Sequence, residues 1–578
     1  METETLRKAL PGLQQPWASV TAVAGRVGRG GVVLLALAAG FALSAVAARP
    51  SGGGTTAPTA STAATTATTA AAATTTVSTA PSVLVVSGHG FGHGLGLAQW
   101  GAAGYAQHGW SFDRILAHYY PGTALEQAPG RTLRVLVAQG RAPTLSSGAP
   151  WTVVDSTGVR VALDPGAVRL TPALGIPGHS ELVPPLSFTS PVPLAVGGRA
   201  YRGKLVASSD GKTVSVVDYV SLEQYLKGVV PAEMPSGWPA EALKAQAVAA
   251  RSYALANLAS SGPFDLYGDT RSQVYGGVAV ETDAASAAVA ATAGRVVTYD
   301  GQVADTLFHA SSGGRTASSL EATGRAVPYL VSVKDPYDVL SPYHDWGPVL
   351  LDAAKAAKTL KLGSPIAGVQ AESWPSGRVK TLTLTTDEKT ADALTGNQAR
   401  LAFGLRSTWF QVALLRLQTS RRAITWGGSA TLSGSAAGAG GVSLEARPSG
   451  ARAWTPAAPL SPDTGGAFTL PVSPRVTTAY RLAAGDVRAG EVTVAVAARV
   501  AAALDTGGVS GTARPSEAGA PVELQHLSGS AWTTVSSTVT DAAGAFAFGG
   551  SLAAGTYRVR VSPGHGVAPG VSAPLPVR

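Results

Sequence analysis

From Gly88 to Gly96 every second residue is glycine, within SGHGFGHGLGLAQWGAAGYAQHGWSFDRILAHYYPGT, residues 87–123. Glycine is a poor helix former, so this block cannot be helical in isolation. A glycine at every second position lets the backbone approach something closely, or lets the chain take φ > 0. The block does not fit G-x-G-x-x-G, because His93 and Leu95 fall in the wrong places, and a dinucleotide-binding loop is excluded. Beyond Gly96 the pattern predicts a helix from Gln99 to about Gln107. A second is predicted from Ser111 to Tyr119, with Ser111 as N-cap and Pro121-Gly122 as its end. His89 and His93 have no other ligand-type residue near them in sequence. They read as loop histidines that hydrogen-bond backbone or substrate, rather than as metal ligands.

The chain has 578 residues, more than one core needs, so several domains are expected. Glycine and proline number 69 and 38, and charged residues are only 14% against a typical ~25%. That excludes a coiled coil and a charge-rich disordered chain. Cysteine is absent, which removes disulfides, Cys nucleophiles and Cys-ligated metals. The net charge is +9, and five Lys/Arg against two Asp/Glu in residues 1–49 account for a third of it. The rest is spread too thinly for nucleic acid, though it suits contact with an anionic polymer.

A basic N-terminal region precedes GGVVLLALAAGFALSAVAA, residues 30–48, in which Ala45-Val46-Ala47 offers an A-x-A cleavage site. Residues 1–48 therefore read as a signal peptide or, uncleaved, a signal anchor. Either places the rest outside the cytoplasm, secreted into the wall or held on the outer face of the membrane by that segment alone. Residues 49–82 read as a disordered linker, since 26 of the 32 residues 51–82 are Ala, Thr or Ser and none is charged.

From about residue 420 short Val/Leu/Thr alternations are broken by Gly and Pro, a strand-and-turn texture. Gly434, Trp454, Asp463, Gly466, Phe468 and Tyr480 recur as Gly511, Trp532, Asp541, Gly544, Phe546 and Tyr557. Two copies of about 80 residues predict two all-β immunoglobulin-like sandwiches, 419–498 and 499–578, with the Trp, Phe and Tyr in their cores. No acid/base cluster occurs there. The two domains read as spacers or wall-binding modules.

The region 83–418 carries the chemistry. In SLEQYLKGVVPAEMPSGWPAEALKAQAVAARSYALANL, residues 221–258, a short helix over 221–229 is expected to stop at Pro231. Pro239 suits the first turn of a second helix over 240–258. Glu233 then lies on a turn pinned by Pro231 and Pro235, beside Met234 and Trp238. A carboxyl held there is a credible general acid. Apolar neighbours would raise its pKa and a helix N-terminus would lower it; the alternative role is a helix cap. Further on, GRVVTYDGQV (294–303) is a hairpin turning at Asp300-Gly301. His309 and the Ser311-Ser312-Gly313-Gly314 loop lie at a strand end, without the G-x-S-x-G of a nucleophile elbow.

PAEMPSGWPAEALKAQAVAARSYAL, FHASSGGRT, VPYLVSVKDP, LTGNQARLAFGLRSTWF and the glycine block together resemble the stage II sporulation protein D (SpoIID/LytB) family over about 83–418. The resemblance implies an α+β domain. In familiar members the GHG-type block comes last, so here the order looks circularly permuted. Some members carry two Cys and a His as zinc ligands around 264–277. This chain has Tyr267, Arg271 and Ser272 there, so no metal and no cofactor are expected.

Characterised members are peptidoglycan lytic transglycosylases, and the family's catalytic glutamate matches Glu233. A single acid/base suffices for that reaction, whereas a hydrolase normally uses two carboxylates. The resemblance implies a substrate groove lined by His93, Gln99, Gln246, Arg251, Gln273, Tyr275, His309, Ser311 and Ser312. Gln246 and Tyr253 share a helix face, and Arg251, about 140° round, is placed either to hold a substrate carboxylate or to make a structural ion pair or hydrogen bond. The expected partner is the glycan strand. Two rival readings remain: an enhancer that stimulates an amidase partner without catalysis, and a wall-binding or spacer protein. A sporulation role does not follow from the family name.

Overall fold

The computed structural model describes residues 78–79, 82–388 and 391–578. The basic N-terminal region, its apolar segment and nearly all of the linker lie outside the described residues. Eight α-helices occur among those described: α1 Gln99–Gln107, α2 Phe112–Tyr119, α3 Leu222–Glu233, α4 Ala240–Ala256, α5 Asp283–Ala291, α6 Ser319–Thr323, α7 Ala353–Thr359 and α8 Gly396–Phe403. All precede residue 404, and everything from Trp409 on is strand and turn.

The helical region is built on a seven-stranded sheet. In it Thr132–Gly140 pairs with Val214–Ser221, and the short strand Leu266–Tyr267 lies parallel to Thr132–Gly140 at the edge. Helices α3, α4 and α5 pack on it through Leu222, Tyr225, Leu226, Val229, Ala242, Leu243, Ala247 and Val289, which form one core with Val135, Val216 and Val220. The Ala-rich α4 is buried on nearly every side. Small side chains let it run between this core and a second one formed by α1, α2 and Val297.

The glycine block satisfies both physical readings of its pattern. Gly90, Gly92, Gly94 and Gly96 all have positive φ, at 76°, 111°, 83° and 64°. A Cβ on Gly90 would lie 2.7 Å from the Ser311 carbonyl oxygen, and one on Gly96 only 2.0 Å from that of Leu307. The strap is pressed onto 307–313 through backbone, with the strand Phe308–His309 parallel to Leu97–Ala98 and a bridge between Phe91 and Ser311. The hairpin at Asp300-Gly301 is also present, joining Arg295–Tyr299 to Gln302–Val303 with positive φ at both turn residues.

Pro231 does not stop α3. It sits in the last turn, so that Glu233 is the final helical residue and not part of a following turn. Only one intrahelical bond is forfeited so near the end, and the helix tolerates it.

Beyond residue 409, two pairs of facing sheets each enclose a core. The first core joins Leu415, Leu417, Leu432 and Phe468 to Leu444, Tyr480, Leu482 and Val494; the second joins Val509 and Phe546 to Val522, Leu524, Tyr557 and Val559. Phe468, Tyr480, Phe546 and Tyr557 are core residues, as the repeat suggests. Trp454 and Trp532 are not. They are partly exposed and carry arginines on their rings, Arg481 at 4.2 Å from the Trp454 centroid and Arg558 at 4.3 Å from that of Trp532. A cation can shield one indole face at the surface, so the tryptophan recurs without being buried.

The strand Trp409–Thr419 belongs to both regions. It pairs with Val83–His89 on one side and with Ala430–Ala437 on the other, in a single sheet. Ser78–Thr79, within the linker stretch, pairs with Gln418 and Thr419.

Candidate active site around Glu233

Helix α3 begins at Ser221, whose hydroxyl accepts from the Gln224 N–H, and delivers Glu233 at its C-terminal end. Met234 then leaves in an extended conformation and is buried. Trp238 packs against Trp100 of α1 with ring centroids 4.6 Å apart and planes tilted by 59°. That contact holds α1 against the α3–α4 junction and is worth about 0.5–1.5 kcal/mol beyond its burial. Gln99, next to Trp100, donates from Nε2 to the Glu233 carbonyl at 2.8 Å and reaches Gln246 Oε1 at 3.4 Å.

The Glu233 side chain points to the loop over 268–277. The Val274 N–H donates to Oε1 at 3.1 Å, and Oε2 takes no hydrogen bond from the described residues. Burial pushes the carboxyl from 4.5 up to about 7, and the Val274 N–H pulls part of the way back. Such a group is protonated in mildly acidic water and still ionisable near neutrality, the range in which acid and base roles alternate.

The loop is fixed on both sides of Val274. Gln273 is buried, donating to the Ala250 carbonyl at 3.2 Å and accepting from the Tyr225 hydroxyl at 3.2 Å. Tyr275 is buried and donates to Asp218 Oδ2 at 3.0 Å. Asp218 is itself pushed up to about 7 by burial. Tyr253, half-buried on α4, is raised to about 12 by burial and by the carboxylates of Asp305 and Glu233.

The groove inferred from the resemblance is largely not assembled. Arg251 is fully buried, and its five N–H donors are consumed by Glu223 at 2.8 and 2.7 Å and by the carbonyls of Ala247, Arg295 and Val289. No donor remains for a substrate carboxylate. Gln273 and Tyr275 face inward, as described. Ser311 and Ser312 donate to Asp338 and Asp335 at 2.8 Å each, and the N–H groups of Ser312 and Gly313 also bond Asp338. The Ser-rich loop thus wraps a buried pair of aspartates. Asp335 is raised by burial and by Asp338 beside it.

His93 and His309 straddle Leu95. The Leu95 N–H donates to His93 Nδ1 at 3.0 Å, and His309 Nδ1 lies 3.0 Å from the Leu95 carbonyl. Burial lowers both, His93 to about 4, so both are neutral near pH 7. Neither bonds Glu233. Of the candidates, only Gln99 touches Glu233 directly, and Gln246 follows through Gln99.

The 264–277 stretch does not fit zinc. Arg271 lies 3.7 Å above the Tyr267 ring and pairs with Asp269 at 2.7 Å, while the Ser272 hydroxyl accepts from the Tyr267 N–H. It holds no thiol or imidazole, and a guanidinium occupies its centre. Among the described residues no group of three His, Cys, Asp or Glu is placed to hold a metal ion.

The SpoIID profile, described as stage II sporulation protein, matches residues 210–299, a span that contains Glu233 and the loop that holds it. Residues 210–299 are thus similar to the SpoIID family. Stage II sporulation protein D of Bacillus subtilis (strain 168) is 32% identical over 219 residues, 34% of this chain and 61% of that protein. The amidase enhancer of the same organism is 37% identical over 156 residues, 27% of this chain and 20% of that one. An uncharacterised Brachyspira hyodysenteriae protein is 42% identical over 141 residues, 24% of this chain and 38% of that protein. The chain thus spans less than two thirds of the length of each of these relatives.

Proposed function

We propose that this chain is a SpoIID-family protein that acts on the bacterial cell wall as a lytic transglycosylase, with Glu233 as its acid and base. The observation that carries the reading is the Glu233 carboxyl: raised to about 7, one oxygen held by Val274 and the other open. The protonated carboxyl gives its proton to the glycosidic oxygen between N-acetylmuramic acid and N-acetylglucosamine, and the C1–O bond breaks. The carboxylate then takes the proton of the muramyl C6 hydroxyl as that oxygen bonds C1. The product is a 1,6-anhydro end, and no water is consumed. Acid–base help of this kind contributes about 10²–10⁴-fold.

In this reading the chain is exported by its N-terminal segment. The glycine block leads a permuted SpoIID domain, and the two β units are immunoglobulin-like modules that carry it in the wall. The amidase-enhancer relative favours a second reading, in which the domain binds glycan and stimulates an amidase. Incubating purified sacculi with wild type and Glu233→Gln, followed by mass spectrometry, separates the two. The transglycosylase reading expects 1,6-anhydromuramyl products from wild type alone. Binding by both proteins with anhydro products from neither favours the enhancer.

A further inference from the structure

A second surface suited to a ligand lies at the start of the glycine strap. His89, Asp345 and Trp409 are neighbours across three strands, as are Ser87 and Gln411 one rung along. His89 Nδ1 bonds Asp345 Oδ1 at 2.7 Å, and its ring lies 4.9 Å from that of Trp409, so the imidazole is fixed from two sides. The ladder slips between Trp346 and Val349, which leaves Gly347 and Pro348 looped out opposite Ser87. A bulge of this kind opens a sheet locally. The opening is a cavity of about 360 Å³ lined by Ser87, His89, Asp345, Trp346, Gly347 and Gln411, with the Asp345 carboxylate turned to His89. That is the small end of the range for ligand sites and suits one substituted sugar ring.

Beside the cavity stands a cation without a counter-charge. The Arg406 guanidinium is exposed and lies 5.0 Å from the Tyr343 ring centroid and 5.8 Å from that of Phe91; the two rings meet edge to face at 5.0 Å. It has no ion-pair partner among the described residues, unlike Arg134, Arg202, Arg271 or Arg416. The shelf adjoins the cavity, because Phe91 is two residues from His89 and Tyr343 two from Asp345, and the Gly90 N–H donates to the Tyr343 carbonyl at 2.9 Å. An exposed guanidinium beside aromatic rings has N–H groups to offer a carboxylate.

We propose that this surface is a second carbohydrate subsite that takes a carboxylate-bearing amino sugar. Arg406 pairs with the carboxylate across the Phe91–Tyr343 shelf. The ring's hydroxyl and amide groups meet Ser87, His89 and Gln411. The carboxylate requirement rests on Arg406; the choice of an amino sugar rests on the glycan-cleavage reading above. The subsite is separate from Glu233 and would anchor a strand whose cleavage occurs elsewhere.

The test is calorimetric titration of the full chain with N-acetylmuramic acid, N-acetylglucosamine, lactate and inorganic phosphate. N-acetylmuramic acid is expected to bind about tenfold tighter than N-acetylglucosamine, the gain from one charge-assisted pair. Arg406→Gln should remove that preference, and Gln411→Ala should weaken both sugars alike. The proposal is overturned if Arg406→Gln binds as wild type does, if neither sugar binds, or if phosphate competes as well as the acidic sugar. The sugars contain no glycosidic bond. Binding without sacculus cleavage would therefore sink the transglycosylase reading and leave the subsite standing, and cleavage without Arg406-dependent binding would do the reverse.

Discussion

At the scale of single residues, Glu233 and Arg251 are opposites. Glu233 is a carboxyl whose ionisation burial opposes. Its folded state holds the proton from 4.5 up to about 7, while the unfolded chain has released it. A general acid of this kind works below about pH 7, so the cleavage rate should fall as pH rises through that value, read from anhydromuramyl product against pH. The same linkage makes the fold less stable as pH climbs through this window, because the native state binds more protons. Glu233→Gln abolishes that cost. The variant should melt a few degrees above wild type at pH 8, with the gap closing towards pH 4.5, as measured by thermal unfolding. Arg251 shows the converse. Its guanidinium is spent within the fold on Glu223 and three carbonyls. Arg251→Lys should therefore cost about 3–5 kcal/mol in urea unfolding, as a broken buried pair does, with glycan affinity unchanged in the folded fraction.

At the scale of elements, backbone contact shapes the site as much as side chains do. The strap over 88–96 lies against 307–313 because alternate Cβ atoms are missing. Gly96→Ala should destabilise by at least about 1–3 kcal/mol, through both its positive φ and the Leu307 carbonyl in its way; denaturant unfolding reads this directly. The loop that presents the Val274 N–H hangs between Gln273 and Tyr275. Tyr275→Phe strands the buried Asp218 and should cost about 1–3 kcal/mol. It should also loosen the Val274 contact, so that the Glu233 carboxyl titrates above wild type in ¹³C NMR. Helices α1 and α2 and the 294–303 hairpin fall where the sequence places them, with Ser111 at the N-cap position of α2 although its side chain makes no capping hydrogen bond. The end of α3 does not, because a proline in a last turn and a proline after a helix look alike in one dimension.

At the scale of the molecule, the strand Trp409–Thr419 ties the helical region to the first β unit. Phe410, Val412 and Leu414 are in the core beneath Trp346, and Leu415 and Leu417 are in the next one. A chain cut after residue 419 would bare Leu415 and Leu417. It should melt lower and aggregate more readily than one ending at 498, by light scattering during thermal unfolding.

Local rules reach as far as their own range. The glutamate between two prolines, the glycine alternation and its close backbone contact, the all-β C-terminal part and the buried Phe and Tyr of its repeat could all be read along the chain, since each is a matter of spacing or backbone freedom. The destination of each polar side chain could not. Arg251 finds Glu223 and carbonyls as far as Arg295. Ser311 and Ser312 find aspartates more than twenty residues on, and the two tryptophans of the repeat are shielded by arginines instead of buried. A polar group looks the same in sequence whether it faces a ligand or a buried partner. Only the packing of distant segments decides which desolvated groups must satisfy one another, and so which ones stay free to meet a substrate.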